Sequence, residues 1–397
     1  MKRGIILALF MGIISFNANA QKEIVHTHRT NYEIYNRRIE IILPQVNGYN
    51  VYKGDFHIHT SYSDGRVNPA GRVDEAWRDG LDVIAITDHY EGRHYEKSAL
   101  KVLAPYNKDG KPTKYQSAFD ANCIKADFNV IHQEAVNHRD KNGYNLTIIK
   151  GCEMARDSKT HGHFNCLFLE DINTVYDFDM KEAFKKVRKQ GGLIIHNHPA
   201  WNRDTSDKTP FHEEVYSAGL IDGVEVVNGY SYYPPIVRRA IDEKLFMLGC
   251  TDAHGMTSHK YKDCGSLRTM TFIFAKENTE AAIKDAFLNR RTIAHSGGNL
   301  IGEEMWLKAF LNAAVDYRIA FESKDGNTRT YLLTNNSSIP YSLRLGTAIY
   351  KLEPFRSLNF KCTRDKESGK FNAPKFSVDN MWHIDHQNLV IEFEIDK

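Results

Sequence analysis

The sequence lacks a strong net charge, and after its first 20 residues it lacks any long hydrophobic run. Its 397 residues include 52 lysines and arginines against 50 aspartates and glutamates. This balance gives no general attraction to nucleic acid or to a membrane surface, and no later segment is apolar enough to span a bilayer. There is also no internal repeat or low-complexity tract. Anion recognition must therefore be local, and we expect no specific nucleic-acid partner.

Residues 1–20 have the layout of a secretory signal peptide. Lys2 and Arg3 precede an apolar stretch over residues 4–16, and small residues lead to Ala20. This pattern predicts cleavage before Gln21 and export to the periplasm or the extracellular space. Loss of Lys2 and Arg3 leaves 50 basic against 50 acidic residues and no transmembrane segment. The alternative is that the stretch stays uncleaved as a membrane anchor.

Six cysteines in an exported chain would suggest disulfide bonds. Cys152, Cys166 and Cys250 lie in apolar, strand-like runs, so we predict that they are buried free thiols. The patterns leave the state of Cys123, Cys264 and Cys362 open.

Short apolar runs alternate with amphipathic helical patterns between about residues 51 and 295. The predicted strands are 82–87, 146–150, 165–169, 193–196, 223–227, 246–250 and 269–274, and the predicted helices are 71–78, 125–139, 180–190, 234–243 and 279–288. Repeated strand–helix alternation predicts a parallel α/β domain, either a barrel or an open sheet. We assign this domain to residues 21–300, with a long polar loop over residues 91–122.

The pattern changes after about residue 300. A helix-like stretch over residues 303–314 leads into alternating segments, separated by turn signals such as Lys324-Asp-Gly326, at 317–322, 328–334, 341–345, 357–362 and 389–395. This predicts a small C-terminal all-β domain, sandwich-like, over residues 301–397.

Two histidines form the most informative motif, Asp55-Phe-His57-Ile-His59. Side chains alternate along a strand, so His57 and His59 point to the same side. Two buried imidazoles need a partner, and a divalent cation is a common one.

Further His, Asp and Glu residues follow the predicted strands in the same way. They occur in Thr87-Asp88-His89, Gly151-Cys-Glu153, Gly162-His163, His196-Asn-His198-Pro199 and Asp252-Ala-His254. The carboxyl ends of parallel strands share one rim, so these residues can meet. Mixed nitrogen and oxygen donors suit zinc, manganese or iron.

With these motifs, residues 50–295 resemble the PHP (polymerase and histidinol phosphatase) family of metal-dependent phosphoesterases. Within it, the opening Lys53-Gly-Asp-Phe-His and the block Gly162-His-Phe-Asn resemble an exported phosphodiesterase branch. The resemblance implies a distorted (β/α)7 barrel that carries two to three divalent metal ions at its carboxyl face.

The resemblance also implies a ligand set. His57, His59, Glu153 and Asp252 would hold the first metal, and Glu153 would bridge to a second one with His163 and His198. Asp64, His89 and His254 would hold the third. Two positions have alternatives. His161 could replace His163, and His196 could replace His198, although the strand begins after His163 and the family ligand precedes a proline.

The expected chemistry is attack on phosphorus by a hydroxide that bridges two cations. Asp252 is the candidate proton acceptor, and His196 is a candidate catalytic or substrate contact whose alternative is packing at a strand end. Candidate phosphate contacts are Arg156, Arg93 and Arg203, since arginine binds phosphate bidentately; each is otherwise a solvated surface residue. Trp201 either packs against an ester group or packs within its loop.

Two buried acids are expected to support the ligands. Asp88 precedes a ligand and should hydrogen-bond next to it, and Glu225 in a buried strand should accept bonds from ligands or from a cation.

These residues favour a metal-dependent phosphodiesterase that acts on a small-molecule phosphate ester. The alternatives are a phosphomonoesterase of the histidinol-phosphatase or nucleotide-phosphatase type, a metal-dependent amide or ester hydrolase, and a non-catalytic metal-binding module.

Overall fold

The computed structural model describes residues 37–91, 127–175, 177–261, 265–371 and 374–393. All elements below lie in one compact unit, Glu40–Lys397. Eight α-helices occur in the described ranges: α1 (Pro69–Arg78), α2 (Asn129–Asn142), α3 (Met180–Lys189), α4 (Pro210–Ser217), α5 (Pro234–Asp242), α6 (Thr257–Lys260), α7 (Glu280–Leu288) and α8 (Glu304–Ala314).

The described ranges also contain 18 strands. The first eleven are β1 (Asn50–Asp55), β2 (Val83–Ile86), β3 (Thr147–Ala155), β4 (His163–Leu167), β5 (Leu193–His196), β6 (Gly223–Asn228), β7 (Ser231–Tyr232), β8 (Phe246–Cys250), β9 (Met270–Ala275), β10 (Thr292–Ser296) and β11 (Asn299–Gly302). The last seven are β12 (Val315–Glu322), β13 (Thr328–Asn335), β14 (Tyr341–Leu345), β15 (Ala348–Leu352), β16 (Ser357–Thr363), β17 (Lys375–Trp382) and β18 (Asn388–Glu392).

Seven strands form a distorted barrel. β1, β2 and β3 pair in parallel, β4 runs antiparallel between β3 and β5, and β5, β6 and β8 pair in parallel. The ring closes beyond the ends of β8 and β1, where His59 N donates to Ala253 O (3.1 Å) and Asp252 N donates to His57 O (2.9 Å). The predicted α/β barrel is therefore confirmed, and the open sheet is excluded.

Helix α7 packs against the apolar core of this barrel. Its Phe287 ring contacts Phe56 edge-on at 4.9 Å and stacks on Phe246 at 4.7 Å. A Cβ on Gly223 would lie 2.2 Å from the Phe246 ring, so only glycine lets β6 approach β8 this closely. The short parallel strands β2, β5 and β8 are wholly buried, as strands covered on both faces must be.

The C-terminal part is all-β after α8. β12, β13 and β16 form one antiparallel sheet, and β14, β15, β17 and β18 form a second group. Aromatic rings join the two layers: Phe360 of β16 contacts Phe376 of β17 edge-on at 5.1 Å. The predicted C-terminal β structure is thus present. Strand β11 pairs in parallel with β17, so hydrogen bonding continues across the predicted domain boundary near residue 300. The position of that boundary stays a prediction.

Most predicted elements of the barrel are present with shifted ends. Strands 193–196 and 246–250 were placed correctly. The prediction that the histidine motif lies in a strand is corrected. Strand β1 ends at Asp55, so His57 and His59 lie beyond it. Both rings are nevertheless buried on one side.

Several elements escaped the prediction. Helix α4 is short and polar, and its signal is local: Thr209 caps it and Pro210 starts it. The hairpin of β10 and β11 turns at Gly297-Gly298, both with positive φ, a two-residue turn signal that the sequence contains.

Cys152 and Cys166 face each other across β3 and β4. These two and Cys250 are free and buried, as predicted, and Cys362 is free and buried too. Cys123 and Cys264 lie outside the described residues. Within the described ranges, no helix has the length and apolar character to cross a membrane.

Candidate metal centre

Nine His, Asp and Glu side chains meet at the carboxyl rim of the barrel. All nine are predicted ligands: His57, His59, Asp64, His89, Glu153, His163, His198, Asp252 and His254. They come from segments that follow β1, β2, β5 and β8, from the carboxyl half of β3, and from the first residue of β4. Six of the seven barrel strands thus contribute at the rim, all except β6, and the fold brings together residues that lie up to about 200 positions apart.

The deepest part surrounds the two motif histidines. The Nε2 atoms of His57 and His59 lie 3.1 Å apart. Asp252 Oδ1 lies 3.3 Å and 3.0 Å from these same two atoms, and Glu153 Oε1 lies 3.4 Å from His57 Nε2. His57, His59 and Glu153 are fully buried.

Glu153 also faces a second pair of imidazoles. Its Oε1 lies 3.3 Å from His163 Nδ1 and 3.6 Å from His198 Nε2. The same oxygen accepts a hydrogen bond of 2.8 Å from Asn197 Nδ2, which fixes the carboxylate between the two groups. We call the six predicted ligands of these two groups the closed half: His57, His59, Glu153, His163, His198 and Asp252.

The remaining ligands lie nearer the surface, and we call Asp64, His89 and His254 the open half. Asp64 Oδ2 lies 3.2 Å from His254 Nε2 and 3.5 Å from His89 Nε2. His59 contacts this group through its other nitrogen, with Nδ1 at 3.5 Å from Asp64 Oδ1. The His59 and His254 rings stack at 4.1 Å.

The donor geometry fits divalent cations. Donor atoms bound at about 2.1 Å in a tetrahedron lie about 3.4 Å apart, the spacing observed within these groups. Among the candidate ligands, four buried polar atoms have ion-pair contacts but no hydrogen bond within the described residues: His59 Nδ1, His89 Nδ1, Glu153 Oε2 and Asp252 Oδ1. Buried polar atoms normally have a partner. Ions at this rim would give each of them one.

The electrostatics of the ligands are strongly coupled. Burial lowers the pKa of His57, but the carboxylates, first Asp252, outweigh burial and raise this pKa well above its usual value. Burial raises the pKa of Glu153, yet the imidazoles, first His89, bring it well below its usual value. Cations would replace these protons as the partners of the carboxylates.

Two ligands have strained backbone. His198 has φ of 25° and Asp252 has φ of 50°, in the region that residues with a Cβ rarely adopt. Such conformations cost about 1–3 kcal/mol each and cluster at functional sites. Both strained residues belong to the closed half.

Comparison with known proteins agrees with this geometry. The PHP domain model matches residues 55–221. The crystal structure of a two-domain protein from Bacteroides vulgatus, described as containing a predicted PHP-like metal-dependent phosphoesterase, is 32% identical, with a TM-score of 0.76; the match covers 90% of this chain and 98% of that one. The chain belongs to the PHP family.

More distant similarities were also found. A Bifidobacterium adolescentis protein, proposed to be a metal-dependent phosphoesterase, is 16% identical, covering 51% of this chain and 88% of its own, with a TM-score of 0.35. A lesion-specific endonuclease from Pyrococcus furiosus is 15% identical, covering 64% of this chain and 59% of its own, with a TM-score of 0.39. A search of curated sequences gave no match.

In this PHP protein, two buried acids support the ligands as predicted. Glu225 accepts a hydrogen bond from His57 Nδ1 (2.7 Å) and another from His198 N (2.8 Å). The first bond leaves His57 Nε2 to face the ligand group. Asp88 accepts bonds from Thr60 N (2.7 Å) and Ser63 Oγ (2.5 Å), which hold the turn that carries Asp64.

Arg72 is a residue beside the candidate ligands that the sequence analysis missed. It is buried, and its guanidinium donates to the backbone carbonyls of His59, Ala253 and Gly255 at 2.8 Å each. Its charge is paired with Glu75. Arg72 therefore clamps the His59 segment against the His254 segment. An isolated arginine in an amphipathic helix gives no signal of such a role.

The alternatives for two ligands separate in space. His163 belongs to the Glu153 group, whereas His161 lines a cavity of about 780 Å³ on the other side of its loop, beside Phe211. His198 belongs to the ligand groups. His196 instead donates to or accepts from Tyr216 Oη at 2.8 Å and stacks on Phe164. The catalytic role of His196 stays a prediction, and its contacts are those of a packed strand-end residue.

The three candidate phosphate contacts differ. Arg156 pairs with the buried Glu91 and lines the cavity beside His161. Arg203 lines a small recess with His163 and His198, and its guanidinium donates to the carbonyls of Pro199 (3.4 Å) and Asp207 (2.7 Å). Arg93 lies outside the described residues.

Proposed function

We propose that this PHP protein is a metal-dependent phosphodiesterase that hydrolyses a small-molecule phosphate ester. The observation that carries the proposal is the position of Glu153, whose carboxylate faces His57 and His59 on one side and His163 and His198 on the other. A carboxylate shared between two ligand groups suits two adjacent cations, an arrangement used for in-line displacement at phosphorus.

The composition of the ligand groups indicates which residues would hold each ion. The closed half would hold two, one at His57, His59, Asp252 and Glu153 and one at Glu153, His163 and His198, and the open half would hold a third. Bound divalent cations lower the pKa of water and neutralise charge on phosphate oxygens. We propose Mn, Zn or Fe, because the donors mix nitrogen with oxygen.

The role proposed for Asp252 is to accept the proton of the attacking water. Its Oδ1 lies among the ligands and makes no hydrogen bond in the described part of the chain, while Oδ2 accepts a bond of 3.3 Å from Asn228 Nδ2. Asn228 also donates to Glu225 Oε2 at 3.0 Å. The asparagine therefore ties the orientation of Asp252 to the carboxylate that orients His57.

Arg203 is the proposed phosphate contact. Its guanidinium binds two neutral carbonyls, and within the described residues it forms no ion pair with a carboxylate. Arg156, in contrast, is neutralised by Glu91. An arginine without an acidic partner, next to two ligand imidazoles, is placed to bind an anionic oxygen.

An activity panel tests the function. Metal-loaded protein should hydrolyse bis(4-nitrophenyl) phosphate faster than 4-nitrophenyl phosphate and 4-nitrophenyl acetate. Preference for the monoester would support a phosphatase instead, and preference for the acetate would support a carboxyl-ester hydrolase. No phosphate-ester hydrolysis with Mn, Zn or Fe would contradict the proposal and favour the non-catalytic module.

We also propose that the protein is exported, with the signal peptide removed after Ala20. The support is the sequence pattern alone, since residues 1–36 lie outside the described residues. N-terminal sequencing of protein from the periplasm or medium should begin at Gln21. Intact protein that starts at Met1 in the cytoplasm would contradict this.

A further inference from the structure

We infer that Trp201 is a binding platform for a planar aromatic group of the phosphate ester. This inference rests on the proposed function and adds the class of organic group to it. Its basis is an exposed indole that lies directly against two ligand imidazoles.

The indole touches the second ligand group of the closed half. Its ring centroid lies 5.1 Å from the His163 ring and 5.5 Å from the His198 ring. Both histidines face Glu153. A phosphate held at this group would therefore have one of its ester groups beside Trp201.

The backbone holds the indole in this place. Trp201 N donates to His198 O at 2.8 Å, and Arg203 N donates to Ala200 O at 3.1 Å, which closes a tight turn after β5. Asn202 has φ of 55° and donates to Ser158 Oγ at 3.2 Å, so the turn is fastened to the β3–β4 loop. The position of the ring is thus set before any ligand arrives, which reduces the entropy cost of binding.

Exposure is the feature that packing alone does not explain. Trp201 is 51% exposed, although the rings it contacts are mostly buried. Ligand sites combine aromatic lining with a few polar groups, and an open indole beside these imidazoles fits that pattern. The contacts use one part of the indole and leave the other part free for an aromatic ring.

The neighbouring charge fits the same ligand. Arg203 lines the same recess as Trp201, His163 and His198. The recess therefore combines a cation for a phosphate oxygen with an aromatic surface for its ester group. An alkyl ester would gain the first contact and little of the second.

Binding of two phosphonates tests the inference without turnover. Phenylphosphonate and methylphosphonate carry the same anionic group and differ in the aromatic ring. Isothermal titration of the metal-loaded full chain should show that phenylphosphonate binds about tenfold more tightly. Trp201→Ala should remove this preference, and Trp201→Phe should keep most of it.

Two further variants make the test specific. Trp201→Leu keeps apolar bulk but not a planar surface, so it should behave like Trp201→Ala; it also covers the case in which Trp201→Ala does not fold. Phe321→Ala removes an even more exposed aromatic from β12, remote in sequence from every predicted ligand, and should leave the preference unchanged.

The outcomes separate this inference from the proposed function. If both phosphonates weaken equally in Trp201→Ala and Trp201→Leu, Trp201 only shields the ligands and the inference is wrong. An unchanged preference in these variants would also overturn it. If wild type prefers phenylphosphonate through Trp201 but hydrolyses no phosphate ester, the proposed function is wrong instead.

Discussion

In the closed half of the candidate metal centre, His57, His59 and Glu153 are buried and Asp252 is 20% exposed, whereas in the open half Asp64 is 54% exposed and His254 is 40% exposed. The closed ligands are also better supported, because Glu225 and Asn197 bond directly to their side chains. Asp64 lies in a turn that is held less directly: a backbone N–H of the turn and the Ser63 hydroxyl donate hydrogen bonds to Asp88. Preorganised ligands bind an ion more tightly than ligands that must be ordered. We therefore expect the closed half to retain its ions and the open half to exchange its ion.

Loss of the shared carboxylate should have the largest effect. Glu153→Gln removes a charge that faces ligands of both halves, since Oε2 also lies 2.9 Å from His89 Nδ1. Phosphodiesterase activity should fall by at least about a thousandfold, and metal analysis should show ions lost from both halves. Glu213→Gln, on the exposed side of α4, is the matched control and should retain full activity. More than a tenth of wild-type activity in Glu153→Gln would break the account of a shared carboxylate.

Asp64→Asn should affect the open half alone. The variant weakens the ligand that joins His89 to His254, so activity should fall on the order of 100-fold with the loss of one ion per chain. Elemental analysis should still find the ions of the closed half. Loss of every ion would show that the two halves bind metal as one unit.

Arg72→Met should disturb both halves, because the guanidinium bonds to segments that carry ligands of each. The variant leaves Glu75 and three carbonyls without their donor. The free energy of unfolding should fall by about 3 kcal/mol, and activity between about 10- and 100-fold. Arg78→Met, in the same helix, is the control and should change neither by much. Arg72→Lys should be as stable as wild type but remain less active. That result would show that the three guanidinium–carbonyl hydrogen bonds position the ligands.

Glu225→Gln should have the smallest effect and should act on the closed half. An amide can still meet His57 Nδ1, but it lacks the charge that supports the imidazole. Metal affinity of the closed half should fall about tenfold, as measured by competition with a chromogenic chelator. The ion of the open half should leave at the same chelator concentration as in wild type. Equal weakening of both halves would contradict a local role for Glu225.

The residues predicted as ligands from the sequence lie close together in the structure, whereas several elements around them were not predicted. The predicted ligands come together because each lies near or beyond the rim end of a barrel strand, and the fold gathers these ends at one rim. Arg72 could not be predicted, because its role depends on hydrogen bonds to three backbone carbonyls that belong to segments distant in sequence. His196 and His198 share a motif, yet only the barrel shows that His198 joins the predicted ligand groups while His196 contacts Tyr216.

The C-terminal strands show the same limit. β14 was placed correctly from its own pattern, whereas β17 was missed, and its parallel pairing with β11 joins residues about 80 positions apart. Local patterns describe a strand but not its partner, which packing across the whole unit decides.

Anomalous diffraction from crystals grown with Mn²⁺ tests the central claim most directly. The account predicts peaks within both groups of the closed half and a third peak among Asp64, His89 and His254. A brief chelator wash should remove the third peak first and leave the peaks beside Glu153. Simultaneous loss of all peaks, or a peak that survives only in the open half, would contradict the account.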